Sequence, residues 1–158
     1  MTSFFHFAPA ELPPEELKLA PPTPASLSGF DLVYDAFSSR WGGRVASLRS
    51  KPGSSVHGLL YSLTPAQLSK IEKWRAGEKE LEVSVLKTDV AEPLKAIAFT
   101  TPKKNATSSG EVSEAFVQAL IKGAEHAHFP AEYLNRLKAE EQILKRVQQF
   151  GRSRAATK

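Results

Sequence analysis

The sequence contains no cysteine, and this absence removes several kinds of chemistry at once. Disulfide frameworks, thiolate catalysis and cysteine-ligated zinc all need a residue that the chain does not have. Long apolar runs are also missing, and residues 1–10 lack the positively charged start of a secretory signal. We therefore expect a cytoplasmic protein that does not enter a membrane.

Positive charge exceeds negative charge by only a small amount. The 158 residues include 21 Lys and Arg against 17 Asp and Glu, and 41% of the residues are hydrophobic. A chain of this length buries one ordinary core, so we expect one domain over residues 1–150. Residues 151–158 carry cations and no acid, which predicts a basic flexible tail. The interleaved basic and aromatic motif of nucleic-acid modules is missing, so a nucleic-acid partner is not favoured.

The hydrophobic pattern changes from strands to helices along the chain. Short apolar or alternating runs predict strands at 4–7, 30–34, 44–48, 55–63, 81–87 and 94–100, with turns at 41–43 and 51–54 and a proline-rich loop or extended connector over 18–28. Thr64 followed by proline predicts a helix that ends at Gly77. Helical spacing predicts further helices from Ser113 to Gly123 and from Pro130 onward. This order favours an α+β domain with a small mixed β-barrel flanked by helices.

Several short motifs, taken in chain order, resemble those of a known family. They lie at 4–17, 27–32, 41–48, 52–61 and 123–137. The first is similar to the opening strand, Tyr-Gly-Ser-Asn-Leu loop and helix of γ-glutamylcyclotransferases, and the last resembles their Gly-Ala…Leu-Pro-x-x-Tyr-x-x-x-Leu ending. The resemblance implies a γ-glutamylcyclotransferase-like (AIG2-like) fold and an ancestral activity on γ-glutamyl compounds with release of 5-oxoproline.

The segment 68–77 resembles the family's active-site run, but it lacks the carboxylate. The family run is similar to Leu-x-x-Leu-Asp-x-x-Glu-Gly, and its Glu is the general acid/base. Arg75 stands where this Glu is expected. A guanidinium is not deprotonated in a protein, so Arg75 cannot take up and return a proton as a carboxylate does. The resemblance therefore implies a degenerate catalytic position.

The segment that matches the family's substrate-binding loop also departs from the pattern. The matching residues are Ala8, Pro9, Ala10, Glu11 and Leu12. Proline has no amide donor, and alanine lacks the hydroxyl of the family's serine. Phe116 matches a family tyrosine and lacks its hydroxyl as well. Because these losses fall on the chemistry and spare the scaffold, we expect an altered function.

Two carboxylates are weak candidates for a replacement base. Glu72 lies one helical turn before Arg75, and a helix-surface ion pair is favoured over a relocated base. Glu11 lies in the degenerate loop, where a solvated acid is the simpler interpretation. His126 and His128 lack a third ligand at a suitable spacing, so we expect no metal site and no cofactor.

Two classes of function remain open from the sequence. The first is a pseudoenzyme that binds a small anionic ligand or a protein partner through the inherited pocket, with Arg75 favouring a carboxylate or phosphate. The alternative is a divergent enzyme that acts on γ-glutamyl amides with Glu72 or Glu11 as its base. A less favoured third hypothesis is a basic adaptor that acts through residues 151–158.

Overall fold

The computed structural model describes residues 1–156, with side chains as far as Arg152. The regular elements in chain order are β1 (Thr2–His6), β2 (Thr23–Ser38), β3 (Gly43–Leu63), α1 (Pro65–Trp74), β4 (Lys79–Lys87), β5 (Leu94–Thr100), α2 (Glu114–His126) and α3 (Ala131–Ala156). The strands close into a barrel in the order β1-β3-β2-β4-β5. The predicted α+β domain with a mixed barrel and flanking helices is confirmed.

Strand β1 closes the barrel. It pairs with β3 in antiparallel sense, with Phe5 opposite Leu60, and with β5 in parallel sense through Phe4 and Ile97. Strands and helices both contribute to the core, whose largest fully buried side chains include Phe4, Phe5, Leu27, Leu48, Leu63, Ile71, Leu120 and Leu137. Because β1 has a neighbour on each side, the loop that follows it is held firmly at one end.

Strand β3 is continuous over 21 residues, where the sequence predicted two strands. Ser28 pairs with Ser55 and Phe30 pairs with Ser50, so both halves of β3 lie against the same partner strand. Residues 51–54 bulge out opposite Gly29, whose φ of 82° is in the left-handed region. The predicted turn at 51–54 is wrong, because these extra residues form a bulge within the strand and do not reverse the direction of the chain.

Strand β2 begins inside the proline-rich segment that the sequence predicted as a loop or extended connector. Pro24 is the second residue of the strand, close to its start, where a missing amide hydrogen is tolerated. Its carbonyl oxygen accepts a hydrogen bond from the amide of Thr88 at 3.3 Å. The prolines therefore delay the strand by only a few residues.

Helix α1 begins where the sequence predicted. The Thr64 hydroxyl accepts a hydrogen bond from the Gln67 amide at 3.2 Å, and the Gln67 side chain accepts one from the Thr64 amide at 2.9 Å. This reciprocal cap, with proline at the first helical position, fixes the start of the helix. The helix ends at Trp74, three residues before the predicted end at Gly77. A short turn then leads into β4.

Helix α2 passes through Gly123, where the sequence predicted its end. A Cβ atom at Gly123 would lie 1.9 Å from the carbonyl oxygen of Pro9. Glycine is needed here because the helix packs directly on the loop that follows β1, and the helix does not end at it. The left-handed residue after the helix is His128, with a φ of 56°.

Helix α3 extends to Ala156, into the segment that the sequence predicted as a basic flexible tail. Arg152 contacts Glu111 at 2.8 Å, and the Val112 amide donates to the Gln148 side chain at 2.7 Å. Residues 157–158 lie outside the described residues, and the flexibility of the tail stays a prediction. No helix within residues 1–156 has both the length and the apolarity needed to cross a bilayer.

Candidate functional site

A cavity of about 300 Å³ lies where the chain leaves β1, β2 and β5. Its wall combines charged, aromatic and hydroxyl side chains, namely Glu11, Arg40, Arg75 and Glu78, then Phe7, Phe37, Trp41 and Phe116, then Ser38, Ser39, Thr100 and Thr101. The four charged residues form two ion pairs. We term this site the paired-charge cavity.

The turn between α1 and β4 places Arg75 and Glu78 side by side. The amide of Glu78 donates to the carbonyl oxygen of Arg75 at 3.1 Å, and Gly77 has a φ of 89°. This left-handed residue lets the chain fold back sharply. Few residues other than glycine adopt this backbone conformation. Arg75 Nη2 then lies 3.0 Å from Glu78 Oε1 and 3.1 Å from Oε2.

Glu78 is the carboxylate that Arg75 contacts, and the expected ion pair of Arg75 with Glu72 is wrong. Glu72 is exposed on α1 and does not line the paired-charge cavity. The reason is the early end of α1, because Arg75 has already left helical geometry with φ −103° and ψ 26°. As a result, Arg75 faces the residue that follows the turn and not the preceding helical turn.

Burial in the cavity wall raises the pKa of the Glu78 carboxyl. The loss of hydration outweighs the attraction of the Arg75 guanidinium, and the nearby Glu11 carboxylate adds to the rise. Only 24% of the Glu78 side chain is exposed. A carboxyl group that holds its proton closer to neutral pH is suited to proton transfer.

The second ion pair joins Glu11 to Arg40. Arg40 Nη1 lies 2.6 Å from Glu11 Oε2, and the arginine side chain is 70% exposed whereas the glutamate is 24% exposed. This pair therefore forms the solvent side of the cavity, and the Arg75–Glu78 pair forms a more enclosed part. The four groups together carry two charges of each sign.

The loop after β1 has few free amide donors. Pro9 has none, and the amide of Ala10 donates to the carbonyl oxygen of Ala8 at 2.7 Å. His6 Nε2 donates to the carbonyl oxygen of Glu11 at 2.7 Å, which ties the end of the loop to β1. The loop is thus organised by its own contacts, and two of its positions cannot offer an amide to a ligand.

The aromatic wall is positioned by the start of α2. The Ser113 hydroxyl accepts a hydrogen bond from the Phe116 amide at 3.1 Å and donates one to the Trp41 carbonyl oxygen at 2.8 Å. The Phe116 ring lies edge-to-face on the Trp41 ring, with centroids 5.5 Å apart. One serine therefore fixes both the helix and the turn between β2 and β3.

The structure divides the seven sequence-predicted ligand residues between two cavities. Ala8, Glu11, Arg75 and Phe116 line the paired-charge cavity. The remaining three, Pro9, Ala10 and Leu12, line a separate cavity of about 650 Å³ that we term the proline-lined cavity. Their role in binding stays a prediction.

Sequence reasoning missed Glu78 and Arg40. The three-residue spacing of Arg75 and Glu78 could have signalled an ion pair. The two residues, however, lie beyond the true end of α1, which the sequence predicted three residues too late. Arg40 lies in the turn between β2 and β3, and only the folded chain brings it to Glu11.

No metal site is formed by the residues that the structure describes. Among them, no group of three His, Cys, Asp or Glu side chains is close enough together to hold an ion. His126 and His128 instead line the proline-lined cavity.

Comparisons with known proteins give a family from one search and a fold from another. The profile described as the AIG2-like family matches residues 55–137. No curated protein sequence matches the chain. A solved structure described as a gamma-glutamyl cyclotransferase is similar with a TM-score of 0.75 at 20% identity, over 92% of this chain and 98% of that chain.

Two further solved structures show the same likeness. An uncharacterized protein from Homo sapiens has a TM-score of 0.72 at 20% identity, over 87% of this chain and 86% of that chain. A gamma-glutamyl cyclotransferase specific to glutathione from yeast has a TM-score of 0.64 at 12% identity, over 90% of this chain and 96% of that chain. At such identities the likeness establishes the fold alone.

Proposed function

Because the chain belongs to the AIG2-like family, we propose that its paired-charge cavity binds, without turnover, a small molecule that carries both a carboxylate and an amine. A γ-glutamyl compound is such a molecule, because its amino-acid head group carries both charges. The observation that carries the proposal is the presence of two Arg–Glu pairs in one cavity of about 300 Å³. A ligand with both charges can exchange with these pairs, since its carboxylate replaces a glutamate and its amine replaces an arginine.

The two glutamates favour a zwitterion over the simple anion that Arg75 alone suggested. An anion that approaches the Arg75 guanidinium also meets the Glu78 carboxylate, which lies 3.0 Å from that guanidinium. Like charges in a partly buried site repel strongly because water screens them poorly. An amine on the same ligand relieves this repulsion.

The lack of turnover is supported by the donors that the site does not offer. Pro9 has no amide, the Ala10 amide is used inside the loop, and Phe116 has no hydroxyl. Stabilisation of a developing oxyanion by oriented donors is usually a large part of acyl-transfer catalysis. A cavity that recognises the head group can lose these donors and still bind.

Thermal unfolding with γ-glutamylalanine tests the binding proposal. We expect this ligand to stabilise the protein by about 2.7 kcal/mol when present at roughly 100 times its Kd. Glutarate, which lacks the amine, and butylamine, which lacks the carboxylate, should each give a much smaller effect. An equal rise of the unfolding temperature with glutarate, or no rise with γ-glutamylalanine, would contradict the proposal.

Substitutions locate the effect in the cavity. Arg75→Met and Glu78→Gln should each weaken binding, because each removes the charge that meets one end of the ligand. Arg152→Met is the matched control, since it breaks an arginine–glutamate pair at Glu111 that lies outside the cavity. This variant should bind as the wild type does.

A second candidate function is catalysis with Glu78 as the base, and the raised pKa of this cavity carboxyl favours it. Glu78 would remove a proton from the ligand's α-amine as its nitrogen forms a bond to the γ-carbonyl carbon. The amide C–N bond would then break, and the proton would pass to the leaving amine. The products would be 5-oxoproline and a free amine.

Product assays separate the two candidates. Release of 5-oxoproline that is lost in Glu78→Gln and retained in Glu72→Gln would establish the enzyme. Glu72 is the matched control because it lies on the same segment but outside the cavity. Binding without product supports the first candidate.

A further inference from the structure

The proline-lined cavity is larger than the paired-charge cavity and differs from it in character. Its volume is about 650 Å³, and its walls include Pro22, Pro24, Leu59 and Ala119. It shares no lining residue with the paired-charge cavity, although the loop after β1 contributes to both. Concave, mainly apolar sites of this size are typical of pockets for small organic molecules.

The walls of this cavity are stiff in the folded chain. Prolines have a fixed φ and lose little freedom when a ligand contacts them. Helix α2 is held against the loop because Gly123 lies in direct contact with the Pro9 carbonyl group. A ligand would therefore enter a preformed space, with little cost for ordering the protein.

A few polar groups lie at one part of the apolar wall. Lys122 and His126 come from the last turns of α2, His128 follows the helix, and Tyr61 comes from β3. Burial raises the pKa of Tyr61 to about 12, so its hydroxyl remains a neutral donor. These groups are three imidazole or hydroxyl donors and one ammonium group.

The local charge favours an anionic group close to Lys122. Glu125, the acid on the same part of α2, lies 3.7 Å from the ammonium group of Lys138. The carbonyl groups at the C-terminal end of α2 disfavour an anion at the very end of the helix. An anionic head group is therefore best placed one turn earlier, where the lysine is.

We propose that the proline-lined cavity is a second ligand site, which takes an amphiphilic carboxylate with an unbranched apolar chain. The chain would lie along Pro22, Pro24, Leu59 and Ala119, and the carboxylate would contact Lys122. The occupant is a small molecule of the fatty-acid type, and its binding does not depend on the function of the paired-charge cavity.

Titration calorimetry with decanoate, below its micelle concentration, tests this site. We expect saturable binding of one decanoate per chain. Ala119→Trp fills the cavity from α2 and should abolish binding, whereas Ala115→Trp is the matched control, because Ala115 is exposed on the same helix outside the lining. If Ala119→Trp does not fold, Ala10→Phe blocks the same cavity from the loop.

The head group is tested with Lys122→Gln and with an uncharged ligand. This variant should weaken decanoate binding by about tenfold, the loss typical of one charge-assisted hydrogen bond, and leave 1-octanol binding unchanged. Lys104→Gln, in an exposed loop, should change neither. Absence of decanoate binding, or decanoate binding that survives both cavity-filling variants, would overturn the proposal. If Lys122→Gln weakened the binding of decanoate and of 1-octanol equally, the assignment of the carboxylate to Lys122 would be overturned.

Discussion

His6 links the barrel to the loop that serves both cavities. Its side chain is buried, its ring lies 5.9 Å from that of Phe4 and 5.7 Å from that of Trp74, and it donates to the Glu11 carbonyl oxygen. Burial is the main reason that the pKa of His6 is lowered to about 4; the hydrogen bond to Glu11 opposes this shift, and the nearby Arg75 charge adds a smaller lowering. The neutral imidazole is therefore the form that the fold requires.

We expect His6 to make the protein less stable in mild acid. The unfolded chain binds a proton near the ordinary histidine pKa of 6.5 and the folded chain only near 4, so stability is present above 6.5 and is lost as the pH falls. Between about pH 7 and about pH 5 the loss should be about 2 kcal/mol. Urea unfolding at the two pH values measures it.

His6→Gln is the matched variant for this prediction. Its side-chain amide can still donate to the Glu11 carbonyl oxygen, but it does not titrate. The difference in stability between the two pH values should shrink by most of the histidine contribution. An unchanged difference would show that other groups cause the acid sensitivity.

At the residue scale, the sequence identified positions better than partners. The arginine at position 75 was found, and the structure does place it in a cavity wall with Glu11 and Phe116. Its partner Glu78 was missed because the family motif puts the carboxylate before the glycine, and here the carboxylate follows Gly77. One left-handed residue decides which of these side chains meet, and motif matching does not describe that geometry.

At the element scale, the packing of α2 on the loop after β1 is the contact that both cavities depend on. Gly123 lies in this contact, and its hydrogen atoms leave room for the Pro9 carbonyl group. A methyl group there would push the helix and the loop apart. The two elements would no longer hold the walls in their present places.

Gly123→Ala should therefore destabilise the protein, by roughly 2 kcal/mol, because steric strain in a packed contact exceeds the gain in helix propensity. Gly151→Ala on α3 is the matched control, since nothing lies within 4 Å of its added Cβ. That change should stabilise the helix by up to about 1 kcal/mol. Denaturant midpoints give both values, and a stabilising Gly123→Ala would show that the loop yields easily.

Elements were predicted well where a local signal sets their ends, and poorly where pairing sets them. The Thr64 cap and the run over Leu94–Thr100 are local signals, and both lie where expected. The long β3 was split because Pro52 and Gly53 are typical of turns. Only the shared partner β2 shows that the chain continues, and this information is not local.

At the scale of the whole molecule, the paired-charge cavity is assembled from segments that are far apart in the chain. Glu11 follows β1, Arg40 lies between β2 and β3, the Arg75–Glu78 pair precedes β4, and Phe116 belongs to α2. The sequence predicted a mixed barrel, and the structure closes it by pairing β1 with β5. Closure brings these segments together, so the site depends on the whole fold.

We therefore expect that no single charge change restores cyclotransferase chemistry. The wild type should release no 5-oxoproline from γ-glutamylalanine above a protein-free control, and Arg75→Glu should not change this result. That variant returns a carboxylate to the family position, but the loop still has no amide at Pro9 and Phe116 still has no hydroxyl. It also removes the partner of Glu78, which should lower stability by about 1–3 kcal/mol because a half-buried carboxylate loses its counter-charge.

Chromatographic detection of 5-oxoproline and a parallel denaturation curve check both parts of this expectation, with an active gamma-glutamyl cyclotransferase as the positive control for the assay. Arg75→Met separates charge from chemistry, because it removes the guanidinium without adding an acid. Activity in Arg75→Glu alone would show that the loop amides are not needed. Activity in the wild type that disappears in Glu78→Gln would instead show that the catalytic base lies three residues further along the chain, beyond Gly77. The cavity would then have retained cyclotransferase activity.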